Sequence, residues 1–397
     1  MKAAKRVTEI QEYYFSRKLK EIAKRNAAGE QIISLAIGSP DLPPSKQTIE
    51  KLCEVSREPD AHGYQPTVGT PELRAAMAGF YRRWYGVALD AQTEILPLIG
   101  SKEGILHTTL AFVDPGDKVL VPDPGYPTYT SLSKILGAEI VNYPLREDND
   151  WQPDFDLLEK LAADPKNTLL ILCSPHNPSG RVWTKEELTR IAEIAVKNNL
   201  IVVADEIHHD LIMPSSTHTV FETISDEVAA RTITCTSASK SFNLAGTQFS
   251  NIIVSNPELR TRLEKRLQAR ETTSCNPISF KACELAYSKG GAWLDACIKA
   301  VDDNQKLVLD FFATKHPRVK LAPITGTYLQ WLDFRDLGLT PEELDQLLQF
   351  EAQVFFTDGV FFGEAAQGFK RWNLAAPRVE IEEALDRLDA VLTAHGF

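Results

Sequence analysis

The sequence predicts an α/β chain: a seven-stranded, mostly parallel sheet flanked by helices, with a smaller α+β domain beside it. Two patterns carry this. From about residue 94 to 255, short apolar runs alternate with helical patterns, and runs without polar alternation are what strands covered on both faces look like. After about residue 285 the pattern changes to amphipathic helices with a few strand-like pieces between them. A chain of 397 residues is long enough to bury two associated cores.

The candidate strands, in order, are Ile95–Ile99, Lys118–Val121, Glu139–Tyr143, Thr168–Cys173, Leu200–Ala204, Thr232–Cys235 and Asn251–Val254. The helix after Trp183 opens with Thr184-Lys185-Glu186-Glu187, a capping box in which Thr184 and Glu187 satisfy free backbone amides. Its apolar residues Leu188, Ile191, Ala192 and Ala195 then recur on one face. Beyond residue 285, Leu294, Ile298, Val301, Val308 and Phe312 mark one long amphipathic helix, and strand-like pieces follow at Thr327–Leu332, Val354–Thr357 and Lys370–Leu374. A last helix carries Ile381, Leu385, Leu388 and Leu392 and ends at Gly396, a residue suited to a C-cap. The first forty-odd residues are expected to pack on this smaller part, because Tyr13-Tyr14-Phe15 is too apolar for solvent.

Composition narrows the function. A net charge of −11 disfavours a nucleic-acid or anionic-membrane surface. The six cysteines are scattered without a C-x-x-C pair, which suits buried free thiols in a reducing compartment. No apolar run reaches the roughly 20 residues that span a bilayer. The N-terminus, with Lys2, Lys5, Arg6 and Glu9, lacks a secretory hydrophobic stretch. The expectation is a cytoplasmic protein with no nucleic-acid or membrane partner.

In doubly wound sheets ligands gather at the strand ends. Lys240 follows a strand in Thr236-Ser237-Ala238-Ser239-Lys240-Ser241-Phe242-Asn243. A lysine there can form a Schiff base with a carbonyl compound while the flanking hydroxyls hold a phosphate; a solvated surface lysine is the ordinary alternative. Gly100-Ser101-Lys102-Glu103-Gly104 opens a helix after the first strand, and free helix-terminal amides make an anion site. Pro122-Asp123-Pro124-Gly125-Tyr126-Pro127 can present Tyr126 as a flat face for an aromatic ring. Asn177, in Ser174-Pro175-His176-Asn177-Pro178-Ser179-Gly180, can donate to a ligand oxygen, although Asn-Pro also opens ordinary turns. Asp205 ends a strand of five apolar residues, and a carboxylate there is costly without a partner. A protonated pyridine nitrogen is one such partner and an arginine of the fold is the other. The adjacent His208 and His209 cannot easily converge on one ion, and no matching ligand cluster stands out in the sequence, so no metal site is expected. An anion nest, an aromatic platform, a donor for a phenolic oxygen, a carboxylate for a ring nitrogen and an amine together match the needs of pyridoxal 5′-phosphate.

With these residues the chain resembles, over nearly its whole length, a fold-type I pyridoxal-phosphate enzyme of the class I/II aminotransferase family. The resemblance implies that Lys240 carries the cofactor, Asp205 pairs with its ring nitrogen, Asn177 with its O3′, Tyr126 stacks on the ring and His208 is a further cofactor-binding residue. It implies that Ser101, Lys102 and Ser237 meet the phosphate. It also implies that Tyr64, in Tyr64-Gln65-Pro66-Thr67-Val68-Gly69, reaches the phosphate of a neighbouring subunit, hence a homodimer with shared active sites. Arg371 matches the arginine that grips a substrate α-carboxylate, a task suited to its planar fork, and Gly38 matches the small residue beside it. The implied division is a cofactor-binding domain over 46–285 and a small domain from 1–45 and 286–397.

The stretch from Glu12 to about Leu145 is similar to aspartate and LL-diaminopimelate-type aminotransferases. From Pro175 onward, Asp205-Glu206-Ile207-His208-His209-Asp210, Ser239-Lys240-Ser241-Phe242-Asn243-Leu244-Ala245-Gly246 and Gly326-Thr327-Tyr328-Leu329 resemble the cystathionine β-lyase branch. His208 stands where typical aminotransferases carry tyrosine, and Gln248 where they carry a phosphate-clamping arginine. The expected activity is amino-group transfer between an L-amino acid and a 2-oxo acid, with C–S β-elimination as the alternative.

Overall fold

The structure, a computed structural model, describes residues 12–269 and 275–397. The terminal residues Lys2, Lys5, Arg6 and Glu9 lie outside the described residues. In chain order the first strands are β1 (Ile33–Ser34), β2 (Ile95–Leu98), β3 (Lys118–Asp123), β4 (Glu139–Arg146), β5 (Gln152–Pro153), β6 (Asn167–Cys173), β7 (Ile201–Asp205), β8 (Thr232–Thr236) and β9 (Ser250–Ile253). All seven expected strands are present, within an eight-stranded sheet of order β2-β9-β8-β7-β6-β3-β4-β5. The pairs β3–β4, β3–β6, β6–β7 and β7–β8 are parallel. β9 runs against both of its neighbours.

The sheet has one strand more than expected. β5 pairs antiparallel with the end of β4, after the chain turns back through Asp150 and Trp151, both at positive φ. Two residues carry no periodicity, and Pro153 is tolerated because the strand lies at the sheet edge. The central strands are apolar on both faces because both faces are covered: Leu169, Leu170, Ile171, Val202, Val203 and Ile233 are fully buried. The helix Lys185–Lys197 opens on the expected capping box, with Thr184 Oγ1 accepting from the Glu187 amide and Glu187 Oε2 accepting from that of Thr184.

The C-terminal part holds a four-stranded antiparallel sheet of β10 (Lys320–Leu321), β11 (Leu329–Asp333), β14 (Phe369–Asn373) and β13 (Thr357–Asp358). The single strand expected over Val354–Thr357 is two. β12 (Val354–Phe355) pairs with β1, whereas β13 pairs with β14, and the chain passes between them at Phe356, buried against Trp372. The helices Gly291–Lys315 and Arg378–Ala394 bury the predicted stripes Leu294, Val301, Val308, Phe312 and Ile381, Leu385, Leu388, Leu392. The N-terminal aromatics dock there too: Tyr14 packs 4.5 Å from Phe361 and donates to Asp358 Oδ2 at 2.9 Å. Among the described residues no helix is long and apolar enough to cross a membrane.

Candidate active site

Parallel strands end together, so the loops after β2, β3, β6, β7 and β8 meet at one rim. Because β9 is reversed, its entry joins them there. A cavity of about 670 Å³ at this rim is lined by Gly38, Ser101, Lys102, Tyr126, Asn177, Asp205, His208, Ser239, Lys240, Gln248 and Arg371, with Tyr13, Phe15, Leu19 and Ile37 at its N-terminal wall. A larger groove of about 880 Å³, lined by Asp114, Asn199 and Arg231 among others, contains none of these groups.

Lys240 sits on the single-turn helix Ala238–Ser241. Its Nζ donates to the Gly38 carbonyl at 2.5 Å. Burial, reinforced by the Arg371 and Lys102 charges, holds the amine below its ordinary value and so enriches the neutral, nucleophilic form. Asp205, at the tip of β7, accepts from Tyr129 Oη at 2.6 Å and from the Ile207 amide at 3.3 Å. Burial still raises its carboxyl above the ordinary range, Tyr129 offsetting only part of that cost. Among the described residues no cation is in ion-pair contact with this carboxylate, although the Lys240 charge favours its ionised form from a distance; a protonated ring nitrogen would supply such a contact.

Arg371, on β14, is 3% exposed, and its bonds are to neutral groups: Asn177 Oδ1 at 2.9 Å, the Ala36 carbonyl at 3.1 Å and Thr357 Oγ1 at 3.4 Å. Its Nε is buried and unpartnered, and burial lowers the guanidinium to about 10. A buried guanidinium without an anion is prepared for one. Asn177 must face it with its carbonyl oxygen, which leaves its amide N–H donors for other partners. Gly38 flanks the guanidinium, with a Cβ there placed 3.6 Å from Nη2.

At the other end, Gly100 (φ +85°) opens the helix Ser101–Phe112, and no side chain caps that end. The Lys102 Nζ stands 4.5 Å above the Tyr13 ring and 5.8 Å from that of Tyr126. Burial resists ionisation of Tyr126, but Lys102 and Lys240 outweigh it and hold the phenol below its ordinary value. Gln248 lies at the entry to β9 in left-handed backbone, φ +53°. His208 is 4% exposed and set edge-on to Tyr328. Burial, with help from Lys240 and Arg371, keeps it neutral.

Two predicted residues stand apart from the cavity. The Ser237 hydroxyl caps its own helix, donating to the Phe249 carbonyl at 2.6 Å and accepting from the Ser239 amide at 3.0 Å. Ser239, two residues on, borders the cavity in its place. Tyr64 is 95% exposed on the chain surface. Sequence reasoning passed over Tyr129 and Tyr328, which hold Asp205 and the Gly38 carbonyl. Tyr129, one helical turn after Tyr126, was the detectable one.

The expectation that no ligand cluster accompanies the histidine pair needs correcting. His208 faces the cavity, but His209 turns away and meets Glu206 and His218, all buried, with ligand-type atoms within 4.8 Å of one another. The signal was invisible because His218 lies across a loop. Both histidines already have acidic neighbours: His218 Nε2 lies 3.2 Å from Glu206 Oε2, and His209 Nε2 lies 3.1 Å from Asp210 Oδ1.

Residues 30–388 match the family model for aminotransferase class I and II, and the chain belongs to this family. It is 34% identical to the cystathionine beta-lyase PatB of Bacillus subtilis over 87% of this chain and 89% of that protein. It is 32% identical to an LL-diaminopimelate aminotransferase of Dehalococcoides mccartyi, over 98% of each. Among solved structures, cystalysin from Treponema denticola, which contains pyridoxal 5′-phosphate, superposes with a TM-score of 0.90 at 36% identity, covering 98% of both chains.

Proposed function

We propose that the protein is a pyridoxal 5′-phosphate-dependent aminotransferase that moves an amino group between an L-amino acid and a 2-oxo acid. The observation that carries this reading is the pairing of Lys240, a lowered amine, with Asp205, a buried carboxylate with no cation in ion-pair contact among the described residues, across one cavity from the anion-free Arg371. Family membership supports the reaction class.

When bound, the cofactor supplies a protonated ring that takes up the electron pair left as a substrate α-proton departs. Asp205 would keep the ring nitrogen protonated. Tyr126 would cover the ring, Asn177 would donate to the ring oxygen, His208 would sit in the same pocket, and Ser101, Lys102 and Ser239 would hold the phosphate. Ser237 contributes by capping the helix that carries the lysine. Lys240 would take the α-proton from Cα onto Nζ and deliver it to the cofactor side, since its return to Cα would only regenerate the amino acid. Arg371 and Gly38 fix the α-carboxylate and so orient that Cα–H bond toward Nζ.

The side-chain end of the cavity is apolar, lined by Phe15, Leu19 and Ile37, with Tyr13 between it and Lys102. The lysines and the arginine among its described residues (Lys102, Lys240 and Arg371) already have tasks, so we infer a substrate with an uncharged side chain. We also infer a cytoplasmic homodimer in which the exposed Tyr64 reaches the neighbouring phosphate site, and a cofactor domain over 46–285. Five of the six cysteines are buried and all are free, which agrees with a reducing compartment.

The deciding experiment mixes the holoenzyme with amino acids that lack a β-leaving group. One equivalent of 2-oxo acid per site, without added acceptor, is expected. A second reading, C–S β-elimination, is favoured by His208 and Gln248 and by the likeness to PatB and cystalysin. Pyruvate from cystathionine with no 2-oxo acid from any other amino acid would establish it instead.

A further inference from the structure

The segment Asp205–Asp210 has two faces. Asp205 and His208 border the cavity, whereas Glu206, His209 and Asp210 face away into a buried polar cluster. Within that cluster the Asp210 side chain is fully buried and accepts hydrogen bonds from Ser241 and Tyr85, with the His209 ring in ion-pair contact beside them. Ser241 Oγ donates to Oδ2 at 2.5 Å, Tyr85 Oη makes a short bond to Oδ1, and His209 Nε2 lies 3.1 Å from Oδ1. Burial opposes the Asp210 charge, but His209, Ser241 and Tyr85 outweigh it and hold the carboxyl below its ordinary value.

Ser241 is the residue after Lys240, on a helix of four residues. A single turn has no stability of its own. It is fixed from outside, at Ser237 by the cap, at Phe242 by packing against Phe80 and Tyr287, and at Ser241 by Asp210. Asp210 therefore ties the loop that presents Asp205 to the turn that presents Lys240. Asp210 is not among the charges that perturb Lys240 most, so its action is geometric.

We infer that Asp210 is a positioning residue that sets the placement of Lys240 relative to Asp205 by clamping two neighbouring strand-end loops through Ser241 and its own main chain. The inference rests on the proposed role of Lys240. Asp210→Asn keeps the shape but places an NH2 where one carboxylate oxygen stood, so it cannot accept from both Ser241 and Tyr85, which bond opposite oxygens. The apoprotein is expected to capture added pyridoxal 5′-phosphate at least about tenfold more slowly, read as protein-bound absorbance. The kcat should fall about ten- to a hundredfold with KM for the amino donor nearly unchanged, the size expected for misplacement near 1 Å.

Ser241→Ala, which removes only the tie, should slow capture in the same sense, and it keeps the test decisive if Asp210→Asn does not fold. His218→Gln serves as the control, because His218 touches Glu206 and the His209 and Tyr85 rings. It should lower the melting temperature and leave capture within about twofold of wild type. Equal slowing in all three variants, or no slowing in Asp210→Asn and Ser241→Ala at equal folded fraction, would overturn the inference. So would one tightly bound zinc per purified chain, lost in His218→Gln, which would make the cluster a metal site. Failure of borohydride to fix the wild-type cofactor on Lys240 would instead remove the assignment on which the inference rests.

Discussion

The two anion-binding ends of the cavity are built by opposite strategies. At the carboxylate end, one guanidinium is buried, wired to Asn177, Ala36 and Thr357, and seated on the Phe362 ring at 4.8 Å. Its geometry is set before any ligand arrives. At the phosphate end, the contributions are an uncapped helix start, the exposed Lys102 and Gln248, and a half-buried Ser239. There the attraction is spread over backbone amides and a flexible ammonium, with no planar fork. In the proposed assignment the difference teaches that orientation is invested where a substrate must be turned over, while the cofactor would be held by summed partial charges and a bond to Lys240.

The sharpest way to break this contrast is to remove the covalent anchor. Lys240→Ala should cut turnover by at least about a thousandfold, and borohydride reduction followed by peptide mapping should find no fixed cofactor. Next in size is the preorganised end. Arg371→Leu should raise KM for amino donors by about a hundredfold, because truncating a desolvated charge contact costs about 2–5 kcal/mol; saturation kinetics checks this, and an unchanged KM would refute the assignment. Gln248→Arg should tighten cofactor binding about tenfold by adding a charge-assisted bond at the diffuse end, read by equilibrium titration of the apoprotein. If the phosphate end were already saturated, no tightening would follow. Exchanging aspartate for leucine or methionine as donor should raise kcat/KM about tenfold, since a carboxylate in the apolar wall finds no free cation.

The smallest effect is a stability signature. Lys240 has a folded-state value below that of a free lysine. Its charge is therefore a cost of folding in the apoprotein at neutral pH, and that cost disappears as pH rises through the folded value toward the unfolded one. Lys240→Met apoprotein should melt above wild type at pH 7, and the gap should close in alkaline buffer.

The parts of the site legible in the sequence are those fixed by strand ends. A strand buried on both faces shows as an uninterrupted apolar run, and the residue that ends it is placed at the rim: hence Lys102, Tyr126, Asn177, Asp205 and Lys240. What escaped depends on rotation or on distant contacts. Ser237 and Ser239 look equivalent in sequence, and only the single-turn helix decides that the first turns its hydroxyl inward. The cluster of Glu206, His209 and His218 joins residues whose spacing carries no period, whereas Tyr129, a turn beyond Tyr126, was within reach. β5 and the division of Val354–Thr357 are two-residue events, too short for alternation to register.

Asn177 gives the two ends a common accountant. Its carbonyl fixes the guanidinium that awaits the amino acid, and in the proposed assignment its N–H group serves the cofactor oxygen. A single planar amide cannot turn for one neighbour without turning for the other. In that assignment loading the cofactor would change the grip on the amino acid, and by thermodynamic reciprocity the amino acid would change the hold on the cofactor by the same factor.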